Sequence, residues 1–361
     1  MTEGRVRFWW APPLMLLVVW GLSGSPDRVE KWYSRGMYPG VQRDVTGFSN
    51  LTTFAWLDVL ILGAAALVLW RVWTFVRVAR STGLGTAAWD ATRRLVRATT
   101  GVALAFLLLW GLNYRRVPLD VALGTPAVTA SSTADLRKVL DEAGVLAAQL
   151  RPSAVMQQRS FEETSRTLLN PLNRTLASLR RPGLFVPGTP KVTLFTPYFT
   201  WAGIDGMSNP FGLESIVQPG VLPFERPFVL AHEWAHLAGH ADEAEASAIG
   251  WLACMHGDAA MAYSASVYLI LELAAALPGP AWEEASRRLD PGVLADVRAV
   301  FERFRRTQPV VRRAATRVYD EYLRANGVTD GVQSYGRALS LILLPRFRGW
   351  LRSYPGEPDA G

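Results

Sequence analysis

Three apolar runs stand out in the first third of the chain, and amphipathic periodicity dominates the rest. Phe8–Gly24, Phe54–Trp73 and Ala98–Tyr114 each approach the roughly 20 residues that a helix needs to cross a hydrocarbon core. The polar stretch 25–53, of mixed charge and with several Gly and Pro, reads as an external loop between the first two. Asp58 lies near the outer end of the second run, where its carboxylate can reach the interface. A Pro-, Ala- and Thr-rich linker, 118–132, follows the third.

Beyond the linker the pattern changes. Leu136, Val139, Leu140, Ala143, Leu146, Ala147 and Leu150 recur with the helical period, which predicts a helix over Thr133–Leu150. A second is predicted for Phe161–Leu179. After a turn-rich break at Arg181–Pro190, the alternation in Lys191–Thr196 predicts a strand, and Glu214–Gln218 a shorter one. Helices are then predicted for Arg226–Ala238, Glu243–His256, Asp258–Leu277, Pro291–Arg306 and Val310–Ala325. The uninterrupted apolar run of Asp258–Leu277 is too short to span, so it reads as a core helix. The tail 334–353 is apolar with interspersed Arg and is divided by Pro345, as in a core or interfacial helix. The expected fold is mainly α with a small β-sheet: an α+β domain at 117–361 following three transmembrane helices in an anchor at 1–116.

Charge changes this picture through its location. The net charge is +7, yet residues 71–100 alone carry six Arg against the single Asp90. Positive charge beside apolar runs sets topology, and it places this loop and the N-terminus in the cytoplasm and everything after Tyr114 outside. It is not the footprint of a nucleic-acid binder. Half of the residues are hydrophobic and most of the 14 Trp precede Arg115, both in keeping with a lipid bilayer as partner. The single Cys, Cys254, excludes an intrachain disulfide and reads as a small core residue.

Candidate chemistry is concentrated in Val229–Ser247, VLAHEWAHLAGHADEAEAS. His232, Glu233 and His236 stand in the order His-Glu-x-x-His, so both imidazoles fall on one helical face and Glu233 lies beside them. That is the zinc-hydrolase arrangement, with Zn2+ held by the two His and Glu233 as general base. Pro227 suits the first helical turn and Gly239 the C-terminal cap. All four His of the chain, His232, His236, His240 and His256, fall within 25 residues. The candidates for a third ligand are Asp242, Glu243 and Glu245, with His240 also a candidate ligand. Asp242 and Glu245 also form a capping box for the next helix, which leaves Glu243 free and makes it the favoured ligand. His240 and Tyr335 are candidate transition-state donors. The segment before the motif, with Gly203, Gly206, Asn209 and Glu214, is the candidate edge that holds an extended substrate.

WGLNYRR closing a third apolar run, GIDGMSNPFGLES, HEWAHLAGHADEAEAS and a late SYG together resemble a bacterial family of three-pass membrane proteins of unknown function. The resemblance spans most of the chain. It implies a zincin-like extracytoplasmic domain in a bacterial cell membrane, with His232 and His236 as ligands and Glu233 as base. The family's Glu-x-Glu-Ala-Asn falls on Glu243–Ser247, with Ser247 in place of Asn. The expected function is a membrane-anchored, zinc-dependent, metallopeptidase-like hydrolase acting on peptide or protein substrates. Its rivals are a non-catalytic zinc-binding sensor or assembly factor, and a zinc amidase acting on cell-wall peptides.

Overall fold

A computed structural model describes residues 11–125, 132–181, 185–328, 336–352 and 354. The first apolar run contains α1, Ala11–Leu22. The stretch expected to be a loop is helical instead: α2 (Pro26–Arg28) runs into a π-helical segment, Val29–Met37, and on into α3, Tyr38–Ser49. One polar face of it, with Ser34, Gln42, Thr46 and Ser49, is buried against protein rather than water. Tyr38 donates to Leu237 O at 2.9 Å, Thr46 to Leu213 O at 2.7 Å and Gln42 Nε2 to Val186 O at 2.7 Å. Partners this distant in sequence satisfy the backbone of the body, and a local reading cannot see them.

Helices α4 (Trp56–Thr82) and α5 (Leu84–Leu109) pack side by side and turn at Gly83. Among the described residues two helices are long and apolar enough to cross a membrane: α4, none of whose apolar window is buried, and the helix Ala259–Ala276, which is 61% buried. The N-terminus of α4 is pinned to the body by two acids. Glu214 accepts from the Trp56 and Leu57 amides at 2.9 and 2.8 Å. Asp58 is buried and bonded to the Thr193 hydroxyl and the Leu194 amide, not directed to an interface.

The third apolar run ends at Leu109 rather than Tyr114. Trp110 breaks the helix with φ −155°, and Gly111–Arg115 forms a 3₁₀ turn packed under the body. A short α6, Leu119–Ala122, follows. Helices α7 (Thr133–Met156) and α8 (Phe161–Ser178) each open on a complete capping box, Ser132 with Asp135 and Ser160 with Glu163. After α9 (Thr196–Ala202), β1 (Gly206–Asn209) and β2 (Glu214–Val217) pair antiparallel, Gly206 opposite Val217. The strand expected at Lys191–Thr196 shrinks to one parallel bridge, Lys191 to Ile216, because Asp58 takes the Leu194 amide and Thr196 already begins α9.

The core is built on α10 (Arg226–Leu237), α11 (Glu243–Met255) and α12 (Ala259–Ala276), with α7 along α12 and α8 across α10 and α11. Every residue of α11 is buried. Gly239 takes φ +85° and reverses the chain between α10 and α11. Helices α13 (Gly279–Ser286), α14 (Pro291–Phe304) and α15 (Pro309–Ala325) wrap the outside. The tail forms α16 (Gly336–Ile342) and α17 (Pro345–Arg348), with Ile342, Leu344 and Phe347 buried as a core helix requires. The molecule is mainly α with one small sheet, as expected. One hydrophobic cluster joins Val29, Tyr38, Trp110 and Leu119 to Trp234, Trp251 and Leu344.

Candidate metal centre

The apolar helix α10 carries His232, Glu233 and His236 through the core. The sharp turn at Gly239 returns the chain so that the first residue of α11, Glu243, faces them. His232 Nε2 and His236 Nε2 lie 3.1 Å apart, and Glu243 Oε2 lies 3.2 Å from the first and 3.4 Å from the second. In a tetrahedral zinc site with bonds of about 2.0–2.1 Å, neighbouring donor atoms stand about 3.3 Å apart. Among the described residues this is the only group of three such side chains that converges on one point.

The far side of each donor is already engaged. His236 Nδ1 faces the His240 carbonyl at 2.7 Å; a carbonyl only accepts, so Nδ1 carries the proton and Nε2 presents a lone pair in the neutral ring. Ser247 Oγ lies 3.2 Å from His232 Nδ1 and orients that ring. Tyr319 of α15 donates to Glu243 Oε1, while Glu243 Oε2 is buried with no hydrogen-bond donor. His236 Nε2 and Glu243 Oε2 thus meet as acceptors with His232 Nε2 beside them, and a small cation fits that point. The charges agree. Burial works against protonation of His236, but the Glu243 carboxylate outweighs it and raises the ring to about 9. Burial likewise opposes ionisation of Glu243, but His236 and His232 hold it well below the ordinary carboxylate range.

Glu233 lies alongside, buried. Its Oε2 accepts from Ser208 Oγ of β1 at 2.9 Å. Burial pushes its carboxyl above the ordinary range, against the pull of His232, His236 and Ser208. Gly206 is required here, since a Cβ at that position would stand 2.5 Å from Glu233 Oε1. A small cavity over the cluster, about 90 Å³, is lined by His232, Glu233, His236 and Glu243 together with Trp110, Ser208 and Tyr322.

The other sequence-predicted residues lie elsewhere. Asp242 is the N-cap of α11, accepting from the Glu245 amide at 3.1 Å, and pairs with Arg337. Glu245 does not close the capping box; it accepts from the Leu119 amide at 2.7 Å and faces His240 Nδ1 at 3.2 Å. The His240 ring is fully buried on that side, and only its carbonyl serves the cluster. Tyr335 lies outside the described residues. Gly203 closes α9 with φ +75°. Asn209 Nδ2 donates to Glu214 Oε1 at 2.9 Å, and Glu214, ion-paired with Lys191 at 3.0 Å, anchors α4 rather than lining a substrate edge. The strand beside Glu233 is β1, not β2.

Sequence reasoning missed Trp110, Ser208, Tyr319 and Tyr322. Trp110 Nε1 donates to His236 O at 3.3 Å, and Tyr322 shares its hydroxyl with Tyr114 at 3.4 Å. Trp110 and Tyr114 both stood in WGLNYRR, and Tyr319 and Tyr322 are three apart on one face of α15; those were the available signals.

Residues 33–343 match a family described as "Protein of unknown function (DUF3810)". The chain belongs to this family. The DUF3810 match runs unbroken through α4, α5, α10 and α11. No curated protein and no solved structure matches the chain.

Proposed function

We propose that this DUF3810 protein is a membrane-anchored, zinc-dependent hydrolase that cleaves peptide bonds outside the cytoplasm. The observation that carries the reading is the convergence of His232, His236 and Glu243 within 3.4 Å of one another, with Glu233 beside them at a cavity. His232, His236 and Glu243 would hold the zinc, which when bound would supply Lewis-acid activation of water at neutral pH. Three protein donors among the described residues, not four, support catalysis over a structural site, because a catalytic site keeps a position open.

In this reading Glu233 takes the proton of the attacking water and later delivers it to the leaving amine. Ser208 fixes the carboxylate for both transfers. Among the described residues β1 pairs only with β2, so its outer edge is available to align an extended peptide beside Glu233. Tyr322, on the cavity wall, is placed to donate to charge that develops on the scissile carbonyl. Helices α4 and α5, with α1, would form the three-pass anchor, and the Arg-rich α4–α5 turn would face the cytoplasm.

The test combines metal analysis with one substitution. Purified protein should contain about one zinc per chain and cleave a member of a peptide library. Glu233→Gln should keep the metal and lose about 10²–10⁴-fold in turnover. Metal-free protein at micromolar zinc, or full turnover in the variant, overturns the assignment.

A further inference from the structure

A second cavity of about 570 Å³ opens directly beside His232 and Glu233. Its walls are apolar: Phe228 and Tyr268 stack at 3.7 Å, and Val267, Leu271 and Ala315 continue the lining. Three further acids reach it. Two of them, Asp205 and Glu225, are tied up by Arg303, whose Nη2 lies 2.9 Å from Asp205 and 2.7 Å from Glu225. The third is Glu272, the only charged residue of α12. Among the described residues its carboxyl has no ion-pair partner, and the Tyr268 hydroxyl is the side chain that acts on it. Glu272 is half-buried at the cavity wall, and that burial pushes its carboxyl up to about 7.

A carboxylate at the wall of an apolar cavity recognises a ligand with a long hydrocarbon stem and a positive end. The stem replaces water along the rings, and the charged tip satisfies the acid. We propose that this cavity is a specificity pocket for a lysine or arginine side chain of the peptide substrate, its aliphatic part lying on Phe228, Val267 and Leu271 and its cationic end on Glu272. The assignment deepens the hydrolase reading and rests on it. It also explains why an otherwise apolar core helix carries one acid at this position.

The experiment measures binding separately from cleavage. Full-length Glu233→Gln protein in detergent, loaded with zinc, is titrated with blocked pentapeptides that differ only in lysine or norleucine at the centre. The lysine peptide should bind about tenfold or more tightly, the difference expected of one hydrogen bond to a charged group. Adding Glu272→Gln should reduce the preference below about threefold, and adding Glu272→Lys should turn it towards a glutamate-centred peptide. Zinc content in the double variants checks that the site is still formed. Equal affinity for the two peptides, no binding of either, or an unchanged preference in Glu272→Gln overturns the pocket assignment. Wild-type protein is assayed for cleavage of the same peptides. A lysine preference in binding without any cleavage removes the hydrolase and leaves the pocket, whereas cleavage without the preference does the reverse.

Discussion

The turn at Gly239 separates two polar clusters made from the same residue types. On one side lie His232, His236 and Glu243; on the other lie His240, Glu245 and Glu30, with Arg116 and Arg181. In the second cluster each carboxylate oxygen has a donor. Glu30 takes Arg116 at 3.0 Å, with Arg181 and Arg35 adding to it, and Glu245 takes the Leu119 amide and His240. The His240 ring is held neutral by burial and by the two arginines. In the first cluster, Glu243 Oε2 has no donor and two imidazole nitrogens point at it. Buried acid and histidine therefore do not by themselves mark a site. What marks it is a set of acceptors that the protein leaves facing one another.

The largest expected effect tests the satisfied side. Glu30→Ala would leave Arg116 and Arg181 buried without their counter-ion, a loss of about 3–5 kcal/mol in denaturant unfolding. A loss under about 1 kcal/mol would mean that the cluster is better hydrated than its geometry implies. The same group gives a pH signature. Burial alone would raise Glu30, but Arg116 and then Arg181 and Arg35 hold it far below its ordinary value near 4.5. A depressed carboxylate contributes stability that is complete above its unfolded pKa and lost as pH falls towards its folded one. The stability gap between wild type and Glu30→Gln should therefore be constant from pH 7 to about 5 and narrow below about 4.5.

Next in size is the contrast between two acids two residues apart. Glu243→Ala should weaken zinc binding by more than about 100-fold, beyond the range for losing a supporting contact. Glu245→Ala should leave zinc binding within that range but cost about 1–3 kcal/mol, because the Leu119 amide loses its acceptor. Equal metal loss in both variants would erase the distinction between the clusters. The smallest effect is expected at Asp242. Its replacement by Ala removes a helix cap worth about 0.5–2 kcal/mol, with zinc content unchanged in equilibrium dialysis.

Much of this was legible in the chain because it is local. The helical period of Leu136–Leu150, the Pro227 and Gly239 boundaries and the spacing of His232, Glu233 and His236 are all set within a few residues. The illegible part is long-range. Residues 25–53 are polar and glycine-containing, yet they fold as helices because Tyr38, Gln42 and Thr46 satisfy carbonyls 140 to 200 positions away. Glu214 looked like a substrate-edge residue because nothing nearby reveals that Trp56, Leu57 and Lys191 claim its carboxylate. Tyr319 and Tyr322 reach the cluster from a helix some 80 residues downstream, so no spacing rule could associate them with it.

Helix α5 runs to Leu109, and the next residue already donates to the carbonyl of His236. With no slack between them, α5 is a lever whose short arm ends beneath an imidazole. In the proposed anchor α5 would tilt to match the thickness of the lipid around it, and any such tilt would be delivered to Trp110. Acyl-chain length would then set the pose of His236 as well as the seating of the anchor.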